Sequence, residues 1–159
     1  MKKIILFFGL IFLVSCGSSE EKKKGFEYNR TQKQKKKEYS VGESSVPIDL
    51  DNKGIGPIKS IDFGGSIDSD LAQQGKAVFN QKCTACHMAN RKLIGPAMQG
   101  IYDRRSPEWV MNMLLNPTEM LKEDPIANAL LKEYNNVMML NQNLSEDETR
   151  AIAEYLRTL

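Results

Sequence analysis

Apolar positions at helical spacing mark a series of five short stretches over residues 70–159, with proline or polar breaks between them. The first runs from about Asp70 to Lys82, where Leu71, Gly75, Val78 and Phe79 fall at steps 0, 4, 7 and 8, one face of a 3.6-residue period. Asp68 or Ser69 is placed to cap it. Gly75 puts no side chain on that face, so another helix can cross closely. The last stretch, Ser145 to about Thr158, opens on a Ser145/Glu148 capping box and carries Ile152, Tyr155, Leu156 and Leu159 on one side. Between these two, Ser106-Pro107 opens a helix with Glu108, Trp109, Val110, Met113 and Leu114 that stops at Asn116-Pro117. Asn116-Pro117 and Asp124-Pro125 begin two more, the second with Ile126, Leu130 and Tyr134 on one face. The pattern predicts an all-α fold of short helices over residues 70–159.

The first half reads differently. Lys2-Lys3 followed by an apolar run from Ile4 to Val14 is a secretory signal, too short to span a bilayer, occupying residues 1–15. Residues 16–45 hold eight Lys and Arg, including Lys22-Lys23-Lys24 and Lys35-Lys36-Lys37, and little to bury. They are expected to be a flexible linker whose ends lie roughly 30 Å apart. In residues 46–69, Gly and Pro alternate with β-branched residues (Val46-Pro47-Ile48, Gly54-Ile55-Gly56-Pro57-Ile58), which predicts turns and a short extended pair. That segment is expected to be an ordered lead-in packed on the helical domain.

With 159 residues, 41% hydrophobic and 26% charged, the chain is one domain with tails. Its formal net charge of +2 vanishes once Lys2 and Lys3 leave with the signal, so nothing favours a nucleic-acid partner.

The chemistry centres on Cys83-Thr84-Ala85-Cys86-His87. Two thiols two residues apart, followed at once by histidine, form the attachment pattern for haem c. Each thiol adds across one porphyrin vinyl group, and the imidazole lies under the iron as the proximal ligand. A thioredoxin-like Cys-x-x-Cys would open a helix rather than close one. A zinc site needs four ligands, and of the chain's three Cys and one His, Cys16 is taken up at the end of the signal stretch, which leaves three. One covalent haem c is therefore expected, and no disulfide. His87 is the only histidine, so a protein-derived sixth ligand would be a methionine thioether, and eight methionines compete. Met88 is too near the motif. Met111 and Met113 read as core, and Met98 and Met120 stay open. Met138 and Met139 lie in a loop before the last helix. Tyr102, Arg104, Arg105 and Trp109 are candidates to hydrogen-bond the haem propionates.

A first helix with glycine and an aromatic before Cys-x-x-Cys-His, crossing a last helix with an aromatic, resembles class I cytochrome c over residues 70–159. That resemblance implies the class I fold and an electron carrier rather than an enzyme. It implies Met139 as iron ligand, with Met138 second, because the family places a Met-Pro pair ahead of the last helix. Here Leu140 stands where proline is usual. It also implies that the Pro96 carbonyl of Gly95-Pro96 accepts the Nδ1 proton of His87. Leu13-Val14-Ser15-Cys16 resembles the lipobox of bacterial lipoproteins, which implies acylation of Cys16 and anchoring at the periplasmic side of a membrane. The lead-in block Asn52–Lys59, with Leu93-Ile94-Gly95-Pro96-Ala97-Met98, resembles the small lipoprotein cytochromes that accompany nitrous-oxide reductases. A monomer fed by a quinol-oxidising complex and emptied by a periplasmic reductase or an oxidase would follow. Two alternatives stand: a haem enzyme or gas sensor with an open sixth site, and a subunit docked in a complex through residues 46–69.

Overall fold

The computed structural model describes residues 45–159. The signal segment 1–15, Cys16 and the linker up to residue 44 lie outside the described residues. The elements are α1 (Ser69–Lys82), a 3-10 turn (Ile101–Asp103), α2 (Pro107–Leu115), α3 (Pro117–Glu123), α4 (Pro125–Glu133) and α5 (Glu146–Leu156). Among the described residues extended pairing is limited to one isolated parallel bridge, Asp49 with Arg105.

Local chemistry sets each boundary. The Asp68 carboxylate accepts the N–H groups of Asp70 and Leu71 at 3.0 and 2.9 Å, and so starts α1. Ser106 and Asp124 cap α2 and α4 in the same way, each followed by proline in the first turn, where the missing N–H costs nothing. Ser145 and Glu148 complete their capping box, with bonds of 3.1 and 2.9 Å. Asn116 begins α3 without capping it, its amide turning instead to Glu119. The last helix closes at Leu156, two residues before Thr158.

α1 and α5 cross at Gly75. A Cβ there would lie 1.9 Å from the Ala151 carbonyl oxygen, so the two backbones meet with nothing between them. Phe79 packs on Tyr155 one turn away, centroids 5.4 Å apart. Helices α2, α3 and α4 close the other side of the core around Trp109, Met120 and Ile126.

The lead-in lies on these helices as a strap. Asn112 of α2, fully buried, donates from Nδ2 to the carbonyls of Lys53 and Ile58 (2.8 Å each) and accepts the Ile58 N–H at Oδ1 (2.9 Å). Gly56 leaves room for that amide: a Cβ would sit 2.3 Å from Asn112 Oδ1. Val46 joins the core, and Asn52 donates to Asp124. A second clip holds the strap to α5. Phe63 lies between the Arg150 and Arg157 guanidinium groups, 4.8 Å from each. Both arginines pair with Glu154, whose side chain is fully buried and also accepts the Asp68 N–H.

Candidate functional site

The Cys-x-x-Cys-His stretch continues the C-terminus of α1. The Cys83 carbonyl accepts the N–H groups of Cys86 and His87 at 3.0 and 2.9 Å, a tight turn that carries His87 back beside α1. Cys83 is buried and Cys86 exposed, and neither is in a disulfide. Burial pushes the Cys83 thiol up to about 11, against the opposing pull of Lys82.

His87 is fixed from two sides. Its Nδ1 faces the Pro96 carbonyl at 3.1 Å, and Gly95 lies flat against the ring. A Cβ on Gly95 would be 2.4 Å from Cε1 of His87. The loop that brings Gly95 there is closed by its N–H on the Cys86 carbonyl, 2.8 Å. Burial holds the imidazole below the usual histidine range, the Pro96 contact opposing it. A neutral imidazole whose Nδ1–H is satisfied presents its lone pair at Nε2, the donor a metal needs. The ring also borders an open cleft of about 450 Å³ reached past Thr84, Asn90 and Gln99. Among the described residues no cluster of three or more His, Cys, Asp or Glu is built to hold a bare ion. The arrangement fits haem: two free thiols, an oriented imidazole, and exposed apolar side chains (Leu93, Ile94, Val137, Leu140) on the flanking loops.

The methionines separate by burial. Met120 is fully enclosed with its sulfur taking the Ile55 N–H at 3.0 Å, and Met111 is core. Met139 is half-buried and packs on the core, while Met138 is 58% exposed.

The four expected propionate donors fare unequally. The single N–H of the Trp109 ring goes to Asp124 at 3.0 Å, and the Tyr102 hydroxyl, its pKa raised by burial, goes to the Ala153 carbonyl at 2.9 Å. Each thus donates its one hydrogen within the protein. Arg104 spans the carbonyls of Ala97 and Gln99. Arg105, 3% exposed, donates to Pro47 and Arg104 carbonyls, and its Nε is buried without a partner among the described residues. Sequence reasoning missed the Asp124 carboxylate, which takes the Trp109 hydrogen. Its only outward sign was the helix start at Asp124-Pro125.

Known proteins agree with this geometry. The cytochrome c family model matches residues 72–159. The solved cytochrome c from Rhodothermus marinus is 46% identical, with a TM-score of 0.63 over 65% of this chain and 88% of that one. An engineered form of that protein matches at 45% identity and TM-score 0.62, over 65% and 89%. The engineered form bound to a carbene intermediate matches at 45% and 0.60, over 65% and 88%. No curated protein sequence matches the chain. The helical fold is that of class I cytochrome c. The chain belongs to the cytochrome c family, carries covalently bound haem c, and has haem-based electron transfer as its chemistry.

Proposed function

We propose that the chain is a lipid-anchored one-electron carrier on the periplasmic side of a bacterial membrane, with haem joined to Cys83 and Cys86 and iron held between His87 and Met139. The observation that carries this reading is the His87 ring clamped between Gly95 and the Pro96 carbonyl. Such an imidazole is oriented and electron-rich before any metal meets it. Haem supplies a metal that changes valence by one electron without gaining or losing atoms. The chain's own residues do the rest. His87 and Met139 would hold the iron, and a soft thioether paired with an imidazole would favour the ferrous state and raise the potential. Met139 is chosen over Met138 because its side chain already packs against the core. Arg105, with its unpartnered buried Nε, and Arg104 are the propionate contacts this reading keeps.

The strap makes its hydrogen bonds to the domain's own helices, which supports a monomer rather than a subunit docked through residues 46–69. Among the described residues no helix is long and apolar enough to cross a membrane; in this reading attachment is through acylated Cys16 and the linker. Electrons would come from a quinol-oxidising complex and pass to a periplasmic reductase or an oxidase. The lead-in block makes a nitrous-oxide reductase the first acceptor to try. One competing reading is a reactive iron with an open sixth position. The carbene-bound engineered form of the Rhodothermus marinus protein is the observation in its favour.

The test uses the full chain matured in a bacterial envelope. Mass spectrometry should find one haem on the peptide holding Cys83 and Cys86, and acyl chains on Cys16. C16S should move the protein from the membrane to the soluble fraction. Ferric wild-type protein should show the weak far-red sulfur-to-iron band of a thioether ligand. High-spin absorption in its place would sink the carrier and favour the reactive site.

A further inference from the structure

The two methionines before α5 are adjacent, yet the structure treats them in opposite ways. Met139 lies half-buried against the core and Met138 stands 58% exposed beside it. We propose that Met138 is a reserve distal ligand: the loop carries two interchangeable thioethers, and Met138 takes the iron when Met139 leaves it. This rests on the reading that Met139 is the resting ligand.

Three observations carry it. The span is firmly posted at both ends. Asn136 donates to the Leu131 carbonyl at 2.8 Å, and Ser145 is fixed by its capping box. Between the posts the backbone is loose. Among the described residues, the hydrogen bonds of residues 138–142 stay within the loop, Gln142 to the Leu140 carbonyl and the Asn143 N–H to the Asn141 side chain. The pivots are asparagines. Asn135 and Asn136 (φ 59° each) and Asn143 (φ 49°) sit in the left-handed region, which asparagine enters more readily than other side-chain-bearing residues.

Such a segment can slide at the cost of one bond to the domain, from the Val137 N–H to the Tyr134 carbonyl at 3.2 Å. One residue's advance is about 3.8 Å along the chain, enough to bring Met138 to the place Met139 held. The neighbours that move with it, Val137 and Leu140, are 52% and 67% exposed and give up little packing. Turning Met138 inward buries an apolar side chain as Met139 turns out, so the exchange carries little net hydrophobic cost. Of the other sulfurs, that of Met120 takes the Ile55 N–H, and Met111 and Met113 lie within α2. In the exchange one sulfur–iron bond breaks and another forms. No electron or proton is transferred.

The experiment uses the full-length holoprotein and leucine substitutions, which conserve methionine's volume. Ferric M139L should keep the far-red thioether band, M138L should keep it through Met139, and M138L/M139L should lose it. Loss of the band in M139L alone overturns the proposal, as does its survival in the double variant, which would point to another methionine. If M139L does not mature, imidazole binding to ferric M138L decides: faster binding than wild type is expected because recapture is gone, and equal rates overturn the idea. Absence of the band from wild type would instead mean that Met139 is not the resting ligand, a separate failure.

Discussion

Two glycines show how much a missing side chain can decide. At Gly75 a methyl group would meet the Ala151 carbonyl carbon and oxygen at 2.3 and 1.9 Å, atoms of a helix backbone that has no rotamer to change. G75A should therefore destabilise the holoprotein by at least the ~1–3 kcal/mol typical of an overfilled contact. An unchanged denaturant midpoint would show that α1 and α5 do not cross as described. At Gly95 the neighbour is the His87 ring. G95A should turn the imidazole and weaken its bond to the Pro96 carbonyl, making it a poorer electron donor. The reduction potential should rise, because the ferric state needs that donation more. A redox titration that reads the wild-type potential would refute this.

Among the elements, α5 depends on a carboxylate with no access to water. Burial alone would push Glu154 upward, but Arg150, the Asp68 N–H and Arg157 together hold it below the usual carboxylate range of 4.5. A group with a depressed folded-state value stabilises the fold above its unfolded value and loses that contribution as pH falls through the folded one. Glu154 should therefore support the domain at neutral pH and release it below about pH 4.5. E154Q leaves two arginines without their partner and should cost about 3–5 kcal/mol at pH 7. It should also flatten the acid limb of a plot of melting temperature against pH. A parallel downward shift with the limb intact would mean that Glu154 acts through packing alone.

At the scale of the whole molecule, the strap makes the haem domain larger than its helices. Asn112, Asp124, Glu108 and Arg105 are buried polar groups whose partners include strap residues. Each buried group left unpaired costs about 1–3 kcal/mol. A mature holoprotein lacking residues 45–58 should lose several kcal/mol and melt well below the intact domain. Equal melting temperatures would reduce the strap to decoration.

The sequence by itself determined whatever depends on near neighbours. The helix starts at Asp68, Ser106, Asp124 and Ser145 were legible because a cap bonds within three residues of itself. The Cys83-Thr84-Ala85-Cys86-His87 motif was legible because its chemistry fits inside one turn. The last two residues before Leu159 were overcalled as helix for the same local reason, since an apolar stripe continues past the point where the hydrogen bonds stop. Only the tertiary structure decided which groups separated by tens of residues share a proton. Trp109 and Tyr102 looked free to serve a haem until Asp124 and the Ala153 carbonyl were found to take their single hydrogens. Asn112 and Glu154 look like surface polar residues on a helix until the strap covers them. A donor is spent once, and the fold chooses where.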